Sequence, residues 1–172
     1  METYKITIPG VVLTTKKGKD VTHALITKKN GQIISTQYRN KMGGYTRRDI
    51  PLLLPKPEYV QWCKVAVQSL VVFKSKHPGI FPLTETINLQ VVTYIPTGVG
   101  RLDLSATYEG IQDVLCGKVP KSISDKIAPQ HFQILMDDSY QYVNGHDGSH
   151  IFLDANPRME LTLSKFQYIK TA

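Results

Sequence analysis

The alternation of apolar and polar residues predicts β-strands near both ends of the chain. Residues 4–8 alternate, with Ile6 and Ile8 on one face, and Pro9-Gly10 is expected to end that strand. Residues 86–95 are apolar on both faces, which is typical of a central strand covered on both sides. Further strands are predicted at residues 132–136, 140–143, 150–153 and 159–166.

Two segments have the spacing of amphipathic helices. The first, residues 58–77, repeats apolar side chains every three or four positions, and Trp62 is expected to pack in the core rather than stack on a base. The second, residues 105–116, is predicted to begin with Ser105 as its N-cap and to end at Gly117. The apolar stripe of this second helix consists of Tyr108, Ile111 and Leu115.

The remaining segments have turn or loop character. Asn30-Gly31 lies between two apolar runs and predicts a tight hairpin turn. Residues 37–49 are polar, basic and aromatic and predict a mobile loop, and residues 118–130 predict an irregular basic excursion. At His146, flanked by two turn dipeptides, a turn is favoured over a role as a general base.

Composition restricts the class of protein. The chain has 172 residues, of which 41% are hydrophobic, so it fits a single domain with a real core and is not broadly disordered. No apolar run approaches the roughly 20 residues of a membrane span, and no secretory signal is visible at the N-terminus. Cys63 and Cys116 lack metal-site spacing and are expected to be buried thiols in a reducing cytoplasm.

Charge is unevenly distributed along the chain. Lys and Arg number 21 against 14 Asp and Glu, a formal net charge of +7, and the basic residues dominate the first 50 positions. A basic surface attracts polyanions such as nucleic acid. Most carboxylates lie between residues 101 and 160, where they either form solvated loops or bind a hard cation such as Mg²⁺ or Mn²⁺.

Several of these carboxylates are expected at the ends of predicted elements. Asp103 immediately precedes the second predicted helix, and Asp137-Asp138 follows a predicted strand. One face of the helix presents a hydroxyl and two carboxylates at i, i+4 and i+8, from Ser105, Glu109 and Asp113. Carboxylates that converge on one point are what a Mg²⁺-dependent phosphodiesterase requires.

The run Arg101-Leu102-Asp103-Leu104-Ser105-Ala106, continued by Glu109, Asp113 and Asp137-Asp138, resembles the RusA-type Holliday-junction resolvases of phages and prophages. The opening Tyr4–Pro9 is similar to the first strand of that family. His146–Ser149 and Asn156–Arg158 are similar to a variant branch of it. The resemblance covers most of the chain, with residues 118–130 as an insertion. It implies one small α+β domain with a mixed sheet and two main helices, a homodimer, and Mg²⁺-dependent nicking of four-way DNA junctions.

The family pattern is Asp-Leu-Asp-Asn, a lysine three residues on, and an Asp-Asp pair. The resemblance implies that Asp103 is the first metal ligand and Asp138 the essential aspartate of the pair. This chain departs from the pattern in having Ser105, Ala106 and Glu109 at the second aspartate, the asparagine and the lysine. Glu109 lies one helical turn after Ser105, so its longer side chain is hypothesised to replace the missing carboxylate.

The predicted catalytic residues are therefore Asp103, Glu109 and Asp138. Asp137 is predicted to join them around Mg²⁺, with Mn²⁺ as a possible substitute, while Ser105 and Asp113 support the ligands or their waters. Contacts with the DNA phosphates are predicted for Lys16, Lys17, Lys19, Arg39, Lys41, Arg47, Arg48, Arg101, Lys118 and Arg158.

Four alternatives remain open at this point. Arg158 could equally form a salt bridge with a neighbouring acid. The substituted motif could belong to a non-catalytic DNA-binding protein that has kept the fold and lost the site, and the basic loop could have no partner. The substrate could also be another branched DNA or an RNA. Metal-dependent nicking separates the enzyme from the binder, and competition among nucleic acids at fixed salt identifies the substrate.

Overall fold

The computed structural model of the protein describes residues 2–10, 36–39, 45–48, 57–98 and 104–167. This part of the chain is a small α+β fold with a mixed sheet, which confirms the predicted class. Its strands are β1 (Tyr4–Pro9), β2 (Thr36–Arg39), β3 (Tyr45–Arg48), β4 (Ile87–Ile95), β5 (Val143–Gly145), β6 (His150–Leu153) and β7 (Arg158–Lys165). Its helices are α1 (Pro57–Ser75), α2 (Leu104–Leu115) and the short α3 (Lys121–Ser124), and Pro129–His131 forms a 3₁₀ turn.

Strand β7 lies at the centre of an antiparallel group. It pairs with β1 on one side, where Ile6 is opposite Leu161, and with β4 on the other, where Val91 is opposite Leu161. The far edge of β4 is shared by two short parallel strands, β5 and then β6, which makes the sheet mixed.

The core lies on one face of this sheet. Alternate residues of β1, β4 and β7 are buried, because side chains along a strand point to opposite faces. Helix α1 packs against β1, and Ile111, Val114 and Leu115 of α2 belong to the same core cluster. Strand β4 is central, as predicted, and one of its faces is buried while the other is partly buried.

Both main helices agree with the sequence analysis in position. Helix α1 buries Trp62, which is 4% exposed, and this confirms its prediction as a core residue. Helix α2 begins at Leu104, so Ser105 lies within the first turn and is not the N-cap that the sequence predicts. The helix ends at Leu115, and Gly117, whose φ is +79°, stops it as predicted.

Two predicted strands are corrected. Residues 132–136 form no strand, and within them only Leu135 makes an isolated bridge, to Leu83. The N–H groups of Ile134 and Leu135 instead donate to the carbonyl oxygen of Leu115, at 2.8 and 3.1 Å. The last carbonyl groups of a helix have no intrahelical donors, and the N–H groups of Ile134 and Leu135 are the donors to one of these carbonyls, that of Leu115. The strand predicted at 140–143 is a turn up to Tyr142 and becomes β5 at Val143.

The two basic segments are more regular than expected. The predicted loop at 37–49 contains most of the antiparallel pair β2–β3, with Gln37 opposite Arg47. The excursion at 118–130 contains α3 and reaches into the 3₁₀ turn. The hairpin turn predicted at Asn30-Gly31 lies outside the described residues. Within the described ranges, no helix has both the length and the apolar character needed to cross a membrane.

Candidate functional site

The candidate site is an acidic pair held by one lysine beyond the end of α2. The Nζ atom of Lys118 lies 2.8 Å from Oδ1 of Asp138 and 3.4 Å from Oδ1 of Asp137. The three side chains are one third to one half exposed, so the cluster is on the surface and accessible from solvent. Two carboxylates thus point toward one cation, the ammonium of Lys118.

Local backbone structure explains why these residues meet. At the end of α2, the N–H of Gly117 donates to the Val114 carbonyl oxygen at 3.0 Å, and the N–H of Lys118 donates to the Asp113 carbonyl oxygen at 2.7 Å. These bonds form a Schellman cap, which needs the left-handed conformation of Gly117. The cap fixes the backbone of Lys118, and the bonds from Ile134 and Leu135 to Leu115 carry the acidic pair to the same helix end.

The electrostatics of the cluster agree with its geometry. Hydrogen bonding to Asp138 is the largest effect that raises the pKa of Lys118, so its ammonium stays charged. The pKa of Asp137 is lowered, first because its carboxylate accepts the N–H of Asp138 and also because of the nearby ammonium of Lys118. Lowering the pKa of a carboxyl keeps it ionised near neutral pH. The site therefore presents charged oxygens and a charged nitrogen to solvent.

The two cysteines are buried free thiols, as predicted. Burial raises the pKa of Cys63 to about 11, and burial followed by the Asp138 carboxylate raises the pKa of Cys116 to about 12. Because the thiolate is the nucleophile and the metal ligand, neither cysteine is activated for such chemistry near neutral pH. Cys116 nevertheless marks the site, since its thiol experiences the charges of Lys118 and Asp137 as well.

The predicted ligand set is only partly assembled in the described part of the chain. Asp137 and Asp138 come together, whereas Ser105 and Glu109 are exposed along α2 and Asp113 is half-buried. Among the described residues, no three His, Cys, Asp or Glu side chains form a group that could hold a metal ion. Asp103 lies outside the described residues, as does Arg101. The observed half of the set is therefore the Asp137–Asp138 pair.

The predicted DNA contacts divide into three groups. Four lysines lie outside the described residues along with Arg101, and they are Lys16, Lys17, Lys19 and Lys41. Three arginines belong to the β2–β3 pair, and they are Arg39, Arg47 and Arg48. The remaining two, Lys118 and Arg158, both have their charged groups paired with carboxylates.

Arg158 forms an internal ion-pair network, which confirms the alternative of a salt bridge. Its Nη1 lies 2.8 Å from Asp154 Oδ2, and its Nε lies 2.7 Å from Glu160 Oε1. Its guanidinium also lies 3.6 Å above the centre of the Tyr94 ring. A guanidinium with two carboxylates and an aromatic face has most of its binding capacity already in use, so Arg158 serves mainly to join β7 to β4.

The segment His146–Ser149 forms a clamp between α2 and β4. The ring of His146 stacks on Tyr108 with 4.2 Å between centroids, and its Nδ1 lies 3.1 Å from the Leu89 carbonyl oxygen. Gln112 contacts the other ring nitrogen at 3.4 Å. The predicted turn is confirmed at residues 147–148, and the imidazole fastens the helix that carries Glu109 to the sheet.

Residues 147–149 of the clamp bind residues 88–91 of β4, where its pairing changes from β5 to β6. Asn88 Oδ1 accepts the N–H of Asp147 at 2.9 Å, and Gln90 Nε2 donates to the Gly148 carbonyl oxygen at 2.8 Å. The N–H of Val91 donates to Ser149 Oγ at 2.9 Å. Sequence reasoning missed this role, although two amide side chains at alternate positions of an otherwise apolar strand were a usable signal.

No protein-family model matches this chain, and a search of curated proteins also returns no match. The resemblance to RusA-type resolvases therefore depends on the sequence motifs alone. The function has to be proposed from the acidic pair, its lysine and the charge of the chain.

The clamp gives a stability prediction. Replacing Ser149 with Ala removes the partner of the Val91 N–H, and an unsatisfied backbone donor costs about 1–3 kcal/mol. We expect urea denaturation to show a loss of this size with an unchanged slope. Ser124→Ala is the matched control, because its Oγ makes only an exposed local bond at 3.3 Å to Lys121. Equal stability of the two variants would contradict the role given to Ser149.

Proposed function

We propose that this protein is a divalent-metal-dependent endodeoxyribonuclease that nicks branched DNA, in particular four-way junctions. The observation that carries the proposal is the Asp137–Asp138 pair sharing the ammonium of Lys118 at 3.4 and 2.8 Å. Carboxylate oxygens of the kind that hold this ammonium are also the ligands that Mg²⁺ prefers. The net charge of +7 supports a nucleic acid as the substrate.

In this proposal, Asp138 and Asp137 hold Mg²⁺ or Mn²⁺ from the C-terminal end of α2. Asp103 and Glu109 remain the predicted ligands from the first half of the helix. Because α2 has 12 residues and is therefore about 18 Å long, a single ion could not be held from both of its ends. A bound ion would supply Lewis acidity toward a phosphate oxygen and a water of lowered pKa.

The rest of the chain would then bind and orient the DNA. Basic residues of the first 50 positions contact phosphates on either side of the scissile bond, which gives affinity but no sequence preference. A homodimer would present two such sites to a branch point with two-fold symmetry. Selection of a junction over a linear duplex would come from the shape and deformability of the DNA.

The experiment compares a labelled four-way junction with a linear duplex of the same sequence at fixed salt. We expect nicks in the junction with Mg²⁺ or Mn²⁺ and none in EDTA, with junction binding retained in both. A parallel competition experiment with unlabelled RNA tests whether the protein prefers RNA to branched DNA. A protein that neither binds nor cuts the junction would exclude the proposal altogether.

A second candidate is a DNA-binding protein without catalytic activity. One observation favours it, namely that no three metal-ligating side chains form a group in the described ranges. Ser105 and Ala106, in place of an aspartate and an asparagine of the family pattern, point the same way. Such a protein would retard junctions in a gel and cut nothing in any metal, so the same experiment distinguishes the two candidates.

A further inference from the structure

We propose that strand β6, at one edge of the mixed sheet, pairs antiparallel with β6 of a second copy of this chain, so that the two sheets join across a two-fold axis at Phe152. This pairing would supply the interface of the homodimer in the proposed function. Its test needs neither DNA nor a metal ion, so the interface and the nuclease activity can fail separately.

The first support is that the backbone of β6 has hydrogen-bonding groups to spare. In the described part of the chain, β6 pairs only with β4. The N–H of Asp154 donates to the Ile95 carbonyl oxygen at 2.9 Å, so the even-numbered residues of β6 are the ones that face β4. Because successive residues of a strand direct their N–H and C=O groups to opposite sides, those of Ile151 and Leu153 face away from the sheet.

The second support is the composition of this edge. Free edges of natural sheets usually carry a lysine, a proline or a bulge, which hinders pairing with another chain. The opposite edge, β1, has Lys5 at an exposed position and ends at Pro9. Strand β6 reads His-Ile-Phe-Leu and has neither residue type, and Phe152 and Leu153 are 48% and 68% exposed. The sheet thus presents one protected edge and one apolar edge that is open to pairing.

The third support is that β6 is complementary to itself. The antiparallel register that uses all the outward-facing groups places Ile151 opposite Leu153 of the second copy, and the reverse, in two hydrogen-bonded pairs. That register puts the two Phe152 side chains opposite each other at the axis, and His150 opposite Asp154. Apolar side chains then meet on both faces and no like charges are opposed, which favours cross-strand pairing.

The aromatic side chain at the axis is already held in place in the single chain. The Phe152 ring stacks on Tyr94 with 5.7 Å between centroids, and the Arg158 guanidinium lies 3.6 Å from the centre of the Tyr94 ring. Arg158 is fixed in turn by its ion pair with Asp154. A side chain that is ordered before association loses less entropy on binding, so Phe152 is suited to the centre of an interface.

The length of β6 determines the kind of dimer. A strand of four residues gives two hydrogen-bonded pairs and one small apolar cluster on each face, which is less than a standard protein interface buries. We therefore expect a dimer that dissociates on dilution.

Sedimentation velocity of the full chain, from low micromolar to several hundred micromolar, measures this equilibrium. Phe152→Lys places two ammonium groups opposite each other at the axis and should weaken dimerisation by at least about a hundredfold. Val72→Lys is the matched control, because Val72 is 54% exposed and lies on α1, which packs against β1 at the other edge. It should leave the dimer unchanged. Melting curves show whether both variants are folded.

A disulfide tests the register. In Phe152→Cys the two introduced thiols should meet, since Cα atoms of a non-hydrogen-bonded pair lie about 4.5 Å apart, within the range of a disulfide. In Leu153→Cys the corresponding Cα atoms would be roughly 8 to 9 Å apart, which is too far. With oxidised glutathione as the oxidant, we expect covalent dimers from Phe152→Cys only. The native Cys63 and Cys116 are buried and serve as the internal background.

A dimer that is lost in Phe152→Lys and trapped in Phe152→Cys would support the pairing. A wild type that stays monomeric would overturn it and leave the edge to an extended segment of another protein. A dimer that tolerates Phe152→Lys would overturn it in favour of another surface, and covalent dimers from Leu153→Cys alone would overturn the register. A β6 dimer that neither binds nor cuts the junction would overturn the proposed function and leave the pairing intact.

Discussion

Asp138→Asn is expected to lower the metal-dependent nicking of a four-way junction by at least about a thousandfold. The asparagine keeps the size of the side chain but removes the charge that meets Lys118 at 2.8 Å. Metal ions supply several kcal/mol of transition-state stabilisation, and each 1.4 kcal/mol or so is a factor of about ten in rate. Single-turnover rates at saturating Mg²⁺, with enzyme in excess over junction, measure the effect on the chemical step.

Two controls make this result specific. Asp125→Asn removes another aspartate side chain that pairs with a lysine, Lys121, at 3.1 Å on an exposed helical turn. It should nick at the wild-type rate. Asp138→Asn should still bind the junction in EDTA and melt within about 2 °C of the wild type, because exposed ion pairs contribute little to stability. Nicking by Asp138→Asn at the wild-type rate would remove the acidic pair from the mechanism.

The Glu109→Gln variant then tests the other part of the ligand set. If Glu109 replaces the aspartate that the family pattern places at Ser105, its loss should approach that of Asp138→Asn. Unaltered nicking by Glu109→Gln would show that Glu109 is not a metal ligand, and the Glu109 hypothesis would be wrong.

The elements predicted best are those whose signal is local. Strand β1 and helix α1 follow from spacing alone, because periods of two and of about 3.6 residues determine which side chains share a face. The end of α2 at Gly117 also follows from one residue, since glycine adopts a positive φ without strain. Spacing cannot identify the N-cap of α2 with the same accuracy, and the helix begins one residue earlier than predicted.

The elements predicted worst are those whose hydrogen-bond partners lie far along the chain. The run 132–136 is apolar and buried at Phe132, Ile134 and Leu135, like a strand, but its N–H groups are used by Leu115 at a helix end. Apolar periodicity reports burial and does not reveal which carbonyl a backbone N–H will meet. For the same reason, the sequence did not predict the contacts of the His146–Ser149 clamp with β4, in which side chains of β4 replace part of a strand pairing.

The candidate site also has one part that the sequence predicts and one part that it does not. Asp137 and Asp138 are adjacent in the sequence, so their proximity needed no fold, and the family resemblance singled them out. Lys118 was predicted to contact DNA, and its pairing with them depends on the cap of α2 and on the bonds of Ile134 and Leu135 to Leu115. No short-range pattern contains that information, because it arises from two chain segments meeting at one helix end.

The cap itself gives the largest expected loss of stability, in Gly117→Ala. A residue other than glycine at φ +79° is strained by about 1–2 kcal/mol, and the added Cβ would lie 2.9 Å from Cβ of Pro129. Overpacking of this kind costs a further 1–3 kcal/mol or so, since a proline ring fixed at the start of a 3₁₀ turn cannot swing away. We expect a total loss of about 3 kcal/mol in urea, or roughly 6 to 12 °C in Tm.

Gly79→Ala is the matched control for this variant, because Gly79 has nearly the same φ, +77°, with no atom within 4 Å of the added Cβ. It should lose only the strain, about 1 kcal/mol. The difference between the two variants isolates the contact between Gly117 and Pro129, and with it the packing of the basic segment 118–130 against the end of α2. If both variants lost the same amount of stability, residues 118–130 would move aside for a methyl group without cost. Lys118, at the start of that segment, could then not hold Asp137 and Asp138 in one place.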